Sequence, residues 1–515
     1  MKSWVEKVVK FLKEKKIFSL AFLGLIVGLC EPKIDSQIWW LKFTIIGVCL
    51  NVFYSVLKDT FSKKISFKEF YFLVLSFFYG WFFVSASWVA NSALVNGLPS
   101  YFVVGYFLIR VFFPVVLAGV KSIPFYFLWK YQKGQNNVWK AILFAVVFVL
   151  SEMFLTFVWQ GWPYEYMAYN WFEVKSMIQL VSLPFISVFD LSLVTMLLIL
   201  SFRFINFKNK SIRPAFLAFF LPFVVTISFG FVRLSGYEKY DVSKSDLKLD
   251  FYLFQGNAPS YIKYTPKVID QRKTDLINMQ STISLDENSD RIPVFTFYES
   301  ALQYYIGGSK LHIEEIQKII PKNGYLISGH LASFGYIDHK TDDFERKFFN
   351  SLSTFDSNGN IIHTYDKKRL VAFGEYLPWF LKIFVPENGE GSGFSNGENR
   401  DELFLKDRLF FLPKICHEIT FPFWNFKFWK KKDDVEKFAI LNVLNEGWFA
   451  DKVLDKHYII STFQAVENNK PLLRIANTGL TGAIDKYGFS MDGISNGEKK
   501  KYLNKNISGI LKISL

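Results

Sequence analysis

Hydrophobicity in this chain of 515 residues is split in two. Up to about Phe231 long apolar runs dominate; beyond Asp241 charges recur every few residues, as in an ordinary globular domain. A chain divided this way cannot fold around one core. With 51% hydrophobic residues, 19% aromatic and 59 Phe, the whole is too apolar for an ordinary soluble enzyme. The second half is still long enough to build a core of its own. The division predicts a membrane domain over 1–235 and a soluble domain over 245–515, with the polar segment Arg233–Lys248 between them.

A hydrocarbon core of about 30 Å asks for about 20 apolar residues in helical form. Candidate spans are Ile17–Cys30, Ile38–Leu57, Phe70–Val89, Tyr101–Val120, Ala141–Gln160, Ile178–Phe202 and Pro214–Phe231. Basic residues alternate between the connections. Lys2 to Lys16, then Lys58, Lys63, Lys64 and Lys68, then Lys121, Lys130, Lys133 and Lys140, then Arg203, Lys208, Lys210 and Arg213 fall on one side. The intervening connections hold only Lys33 and Lys175, with Lys42 just inside a span. By the positive-inside rule the N-terminus is cytoplasmic, and seven crossings deliver the soluble domain to the opposite side. This pattern also accounts for much of the net charge of +14, and no basic-aromatic motif supports nucleic-acid binding. Cys30, after lysines and an apolar stretch, has the outline of a lipoprotein signal. Bulky Leu29 before it and the further spans after it favour a first transmembrane helix.

Ionisable residues inside the apolar runs are few: Lys42, Arg110, Glu152 and Asp190. Lys42 is close enough to a span end to snorkel. The other three pair within the bundle, lie near an interface, or mark a path through the bundle, because charge in lipid is costly.

In the second half, Leu249–Gln255, Ile292–Phe297, Gly324–Gly329, Ile361–Tyr365, Leu409–Ile415, Phe438–Val443 and Leu472–Ala476 read as strands. Lys310–Ile320 and Lys456–Asn468 read as helices. The alternation predicts a layered α/β domain. Three strands end close to a chemically useful group: Glu299 after Ile292–Phe297, Lys367 after Ile361–Tyr365, and Cys416 after Leu409–Ile415. Cys416 is the lone thiol of this half, since Cys30 and Cys49 lie in the apolar runs, so it is either a small hydrophobe or a nucleophile. A carboxylate to take the thiol proton, an amine to steady an oxyanion and a thiolate to attack a carbonyl form a coherent set. Taken singly, the carboxylate and the amine are as readily solvated charges, and spacing alone does not bring them together. The six histidines are scattered. Neither zinc-ligand spacing nor a phosphate-binding glycine loop occurs, so no metal or cofactor is expected.

At these residues the chain resembles the apolipoprotein N-acyltransferases, a membrane-anchored branch of the nitrilase superfamily with a Glu-Lys-Cys catalytic set. Phe297-Tyr-Glu299-Ser-Ala-Leu302 is similar to the motif W-P-E-[ST]-A, with Tyr298 in place of the Pro. Tyr365-Asp-Lys367 through Phe373-Gly-Glu375 to Pro378 is similar to Y-x-K-x-x-L-V-P-F-G-E-x-x-P, and selects Lys367 over Lys368. Ile415-Cys416-His417-Glu418 is similar to I-C-Y-E. Leu253–Pro259, Asn445–Phe449, Arg474–Thr481 and the loop Gly161–Tyr169 resemble further family segments. Departures are His417 for Tyr, Ala372 for Pro, and Tyr264 near a frequent Trp. The chain closes on the strand-like Ile507–Leu515 where the family has an eighth span, so that span is expected either to be missing or to lie beyond this sequence.

The resemblance implies a multi-pass α-helical membrane domain plus an extracytoplasmic nitrilase-like α-β-β-α sandwich. It implies catalytic Glu299, Lys367 and Cys416. Glu375 and Glu418 would orient the lysine or its loop, or serve only as structural ion-pair partners. His417 would stand beside the nucleophile. The implied reaction is a two-step acyl transfer in the cytoplasmic (inner) membrane. A phospholipid donates an acyl chain to Cys416 as a thioester. The α-amino group of a diacylglyceryl-cysteine on an apolipoprotein accepts it. A monomer is expected. The rival readings are a membrane-tethered amidase, using water as acceptor, and a transporter or receptor whose soluble domain only binds.

Overall fold

In the computed structural model the described residues of the first part are 16–34, 36–61, 65–90, 101–132, 134–158, 161–206, 211–212 and 214–237. In the second part they are 248–258, 266–286, 288–305, 314, 316–337, 344–372, 374–376, 393–398, 402–406, 409–422, 436–448 and 451–515. The lysines before Lys16, Lys63, Lys64, Lys133, Lys208, Lys210, Arg213, Tyr264, His312, His339, Phe373, Pro378 and part of the expected helix Lys310–Ile320 lie outside them. The chain divides into two compact units, Met1–Tyr237 and Glu238–Leu515.

The first unit is helical: α1 Lys16–Leu29, α2 Trp39–Phe61, α3 Phe67–Ser85, α4 Tyr101–Ser122, α5 Asn137–Phe157, α6 Val188–Ser201 and α7 Pro214–Ser235. Five of these, α2, α3, α4, α5 and α7, are long and apolar enough to cross a membrane, by length and composition. With 14 residues each, α1 and α6 measure about 21 Å at 1.5 Å per residue. Glycines let α1 and α3 meet closely. A Cβ added at Gly24 would stand 1.9 Å from the carbonyl oxygen of Phe77, and one at Gly80 the same distance from that of Ala21.

Two expectations need correction here. The run Ile178–Phe202 is not one helix: a 3-10 turn covers Gln179–Ser182, Leu183 is extended at ψ 144°, and α6 starts only at Val188. Pro184 is the cause, since proline drives the residue before it out of the helical region. Asp190 caps this restart by accepting from the Ser187 backbone N–H at 2.8 Å. Lys121, expected on a flanking connection, is inside α4 and fully buried, with its ammonium 4.4 Å from the Trp81 ring centroid and 5.1 Å from that of Phe78. Cation–π contact holds it where water would otherwise be needed. Arg110 lies over the Phe83 ring, and Glu152 accepts the backbone N–H of Met167 at 2.9 Å. Lys42 reaches the carbonyl of Glu31.

The second unit is built on two mixed sheets. Its strands are β1 Leu249–Gln255, β2 Ile292–Thr296, β3 Leu302–Tyr305, β4 Tyr325–Ile337, β5 Phe344–Phe355, β6 Ile361–Asp366, β7 Leu403–Lys406, β8 Leu409–Ile415, β9 Glu436–Leu444, β10 Leu472–Ala476, β11 Thr481–Ile484, β12 Gly493–Ser495, β13 Glu498–Lys500, β14 Tyr502–Leu503 and β15 Gly509–Ser514. The nine-stranded sheet runs β13-β12-β15-β1-β2-β4-β5-β6, with β3 beside β4; the six-stranded sheet runs β14-β11-β10-β9-β8-β7. The centres are parallel, β1 with β2 and β2 with β4 in one sheet, β8 with β9 and β9 with β10 in the other. This explains the near-continuous apolar composition of β1, which is buried at every position. The sheets face each other: the rings of Phe251 on β1 and Phe411 on β8 meet edge-on at 5.8 Å, and one apolar core takes residues from both. Helix α9, Asp451–Asn468, lies on β10, and α8, Pro266–Ser281, beside β3. The layered α/β sandwich expected from the sequence is thus the fold observed.

Candidate active site

Strand direction gathers the candidate groups. Since β6 is antiparallel to β5, and β5 antiparallel to β4, β6 runs in the same sense as β2. Both strands therefore end at one edge of the larger sheet, as β8, β9 and β10 do in the smaller. The facing edges touch at Glu299, whose Oε2 accepts the backbone N–H of Asn445, one residue past β9, at 2.7 Å.

Glu299 follows β2 by three residues and is buried. The chain turns sharply after it, with Ser300 in the left-handed region at φ 52°. Gly329 on β4 makes room, because a Cβ there would lie 2.6 Å from the Ser300 nitrogen. Lys367 follows β6 directly. Its backbone N–H donates to the Asn350 carbonyl at 2.9 Å and extends the ladder with β5 by one more bond. Its ammonium, 1% exposed, lies 2.8 Å from Glu375 Oε1 and 3.3 Å from Glu299 Oε1. Burial acts to lower this amine, but Glu299, Glu375 and Cys416 outweigh it and hold it well above its ordinary 10.5.

Cys416 ends β8 and starts a 3-10 turn, Cys416–Thr420, with its own backbone at φ 51°. A non-glycine residue held left-handed costs on the order of 1–3 kcal/mol and is met chiefly where function demands it. Burial first, then the charges of Glu299, Glu375 and Glu446, push the thiol well above its ordinary 9.0, against the opposing pull of Lys367. At rest the sulfur is therefore a neutral thiol, and its attack on a carbonyl requires a base to take the proton.

Glu418 ties the turn to the lysine loop. Oε1 accepts the N–H groups of Lys368 at 2.8 Å and Arg369 at 3.0 Å, while Oε2 accepts that of Ile415 at 2.9 Å. The Tyr365 hydroxyl donates to the same carboxylate at 3.0 Å. Glu375 does similar work from the other side, accepting the Val371 N–H at 2.8 Å through Oε2. His417 points elsewhere: its ring meets Phe421 edge-on at 4.9 Å, and Nδ1 shares a 3.3 Å contact with the Thr420 hydroxyl. Burial, with Lys367, His457 and Arg369 nearby, pushes its imidazole down to about 3, so it is neutral.

Sequence reasoning passed over Asn350, whose Nδ2 lies 2.8 Å from both Glu299 Oε1 and Glu375 Oε1. It also passed over Glu446, which binds Arg474 at 2.8 Å and His457 at 2.6 Å in a fully buried cluster. No local pattern marks Asn350; Glu446 lies in the segment Asn445–Phe449 noted in the sequence, but nothing there singles it out.

The fold and its charged edge describe a helical unit able to cross a membrane, joined to a two-sheet α/β unit with a thiol beside a carboxylate-flanked lysine. The chain has curated homologues named apolipoprotein N-acyltransferase. That of Brucella melitensis is 26% identical over 375 residues, covering 68% of this chain and 64% of the relative. That of Agrobacterium fabrum is 24% identical over 447 residues, covering 84% and 79%. That of Rickettsia prowazekii is 25% identical over 360 residues, covering 69% and 68%. The match thus spans just under two thirds of the length of the Brucella protein. Among solved structures, an amidase of the nitrilase superfamily from Nesterenkonia is similar at 13% identity and a TM-score of 0.31 over 53% of this chain and 92% of that one. A carbon-nitrogen hydrolase from Helicobacter pylori is similar at 11% and 0.32, over 52% and 88%. No family model matches the chain.

Proposed function

We propose that this chain is a membrane N-acyltransferase that moves an acyl chain from a phospholipid, through a Cys416 thioester, to the α-amino group of a diacylglyceryl-cysteine on an apolipoprotein. The observation that carries the reading is the buried Lys367 ammonium, held between Glu299 and Glu375 and close enough to Cys416 for the charges of all three to act on its thiol. Homology to proteins of that name over much of the chain supports it.

In the first half-reaction the thiol proton passes to Glu299 as sulfur attacks the ester carbonyl carbon. Lys367 donates to the oxyanion, which forms next to a fixed positive charge in a water-poor site. The carbon–oxygen bond breaks, the lysophospholipid oxygen takes the proton from Glu299, and the thioester remains. In the second, the acceptor amine attacks the thioester carbonyl and loses a proton to Glu299; the carbon–sulfur bond breaks, and the departing sulfur takes that proton from Glu299, which restores both the thiol and the carboxylate. Glu375 and Glu418 position the lysine and its loop. His417, turned toward Phe421, lines the neighbourhood of the nucleophile and takes no proton. All groups come from one chain, so a monomer suffices.

The membrane domain comprises 1–235 and the catalytic domain 245–515. We place the catalytic domain on the periplasmic side of the inner membrane, a reading that the alternation of lysines between the apolar runs supports, and there both lipid-anchored substrates would meet it. The test is mass spectrometry of the purified protein incubated with phospholipid. Cys416 should gain one acyl chain, removable by hydroxylamine, and pass it to a diacylglyceryl peptide. Release of free fatty acid or ammonia with an unmodified Cys416 would overturn the reading, and cytosolic labelling of the second unit would overturn the topology.

A further inference from the structure

Lys367 and Asn350 form a closed ring of donors with two acceptors. Each of Glu299 Oε1 and Glu375 Oε1 takes one contact from the lysine ammonium and one from the asparagine amide. The contacts are unequal. The ammonium sits 2.8 Å from Glu375 but 3.3 Å from Glu299, whereas the amide is 2.8 Å from both. Charge-assisted pairs of full strength lie at about 2.7–2.9 Å. Lys367 is therefore committed to Glu375, and the shorter bonds to Glu299 come from neutral donors, Asn350 and the Asn445 N–H.

We propose that Asn350 is a positioning residue of the acyl-transfer site: its amide clamps both carboxylates, so that Lys367 stays turned to Glu375 while Glu299 is fixed beside Cys416. Its backbone adds to this role, because the Asn350 carbonyl takes the Lys367 N–H. An amide nitrogen has two hydrogens, and both are spent on the two carboxylates. The opposite end of the amide, Oδ1, is buried with no hydrogen-bond partner among the described residues. Such a cost is out of place in an asparagine that merely fills space. Without the clamp the ammonium is free to pair with Glu299, and the base is then drawn away from the thiol.

The inference rests on the acyl-transfer reading for its role, but its test does not need a lipid. Iodoacetamide alkylation of the folded full-length protein against pH, read by peptide mass mapping of the Cys416 adduct, reports on that thiol separately from Cys30 and Cys49. The groups facing that thiol are Glu299, Lys367, Glu375 and Glu446. Asn350→Asp is close to isosteric and adds a negative charge to this set. It should move the alkylation profile to higher pH by about one unit. Asn350→Ala, which adds no charge and serves where the Asp variant does not fold, should slow alkylation at neutral pH by about tenfold. It should slow Cys416 acylation at least as much, with the KM for phospholipid unchanged. If folded variants alkylate and acylate like the natural protein, with only a lower melting temperature, Asn350 is structural and the clamp is refuted. If alkylation shifts as stated but no variant, nor the natural chain, takes an acyl group, the clamp stands and the acyl-transfer reading falls.

Discussion

Two buried groups at the site fix how the second unit responds to alkali. Cys416 is held above its ordinary 9.0 and Lys367 above its ordinary 10.5, so both keep a proton in the fold after the unfolded chain has lost it. Their stabilisation is complete below those values and is lost as pH rises. Alkaline unfolding followed by circular dichroism should thus begin near pH 9.0, and Cys416→Ser should delay its onset toward pH 10.5. Acid acts through two other residues, His417, already described, and His330. His330 is fully buried; its Nδ1 is 2.9 Å from the Leu331 carbonyl and must donate, which leaves Nε2 to accept from the Ser353 hydroxyl at 2.7 Å. That neutral tautomer cannot take a proton cheaply, and burial pushes the imidazole down to about 4. The unfolded histidine takes its proton near 6.5, so stability present above that value falls as pH drops toward 4. A shift of this size corresponds to about 3 kcal/mol. His330→Gln should lessen the loss of stability between those two pH values, measured by urea unfolding, and leave the part that His417 contributes.

At the scale of elements, the coupling of the Cys416 turn to the lysine loop rests on one carboxylate. Every group around Glu418 is a donor: three backbone N–H groups and the Tyr365 hydroxyl. Glu418→Ala leaves those N–H groups without their partner, at about 1–3 kcal/mol for each that stays buried. Glu418→Gln is no gentler, since its NH2 must face an N–H. Both variants should lower the melting temperature and cut acylation by about a hundredfold or more, measured as the single-turnover rate of thioester formation. The elements that carry these groups were legible in unequal degree. Strands β1, β8 and β10 read directly because a central parallel strand is a near-continuous apolar run, broken by a charge only at Asp250, Lys414 and Arg474 respectively. Strand β5 was missed because Arg346, Lys347, Asn350 and Ser351 interrupt its apolar residues; the last two meet polar partners inside the unit, Glu299 and Asp366. Helix α8 was missed because its sequence, Pro266–Ser281, is mostly polar. The break at Pro184 was written in the sequence, but a continuous count of apolar residues hid it. Glu299, Lys367 and Cys416 stood out as strand ends, whereas Asn350 lies mid-strand and carries no local mark. Its significance comes only from Glu299 and Glu375, which the chain brings near from beyond β2 and β6.

At the scale of the whole chain, the two units are stabilised in different ways. The helical unit has five helices whose apolar surfaces suit lipid, and a buried lysine under aromatic rings. The second unit depends on closing a two-sheet core with the last strand of the sequence. β15 pairs antiparallel with β1 from Gly509 opposite Gln255 to Ser514 opposite Asp250, and so sits between β1 and β12. Leu511, Ile513 and Leu515 are buried against the core. Arg291 secures the end by donating through Nη2 to the carbonyls of Leu515 and Leu249 at 2.7 Å, and through Nε to Asp250 at 2.6 Å. Burying three such side chains contributes roughly 5–9 kcal/mol. A domain's entire stability is about 5–15 kcal/mol. Ending the chain after Asn506 would also open β1, a strand buried at every position, as an unpaired edge. The expected result is a protein in which limited proteolysis in detergent digests the second unit quickly and leaves a resistant fragment of the first, about 237 residues long. Arg291→Ala, which removes the tether but keeps the apolar strand, should retain a folded second unit with a lower melting temperature. A truncated chain whose second unit still resists protease would mean that the larger sheet closes without its final strand.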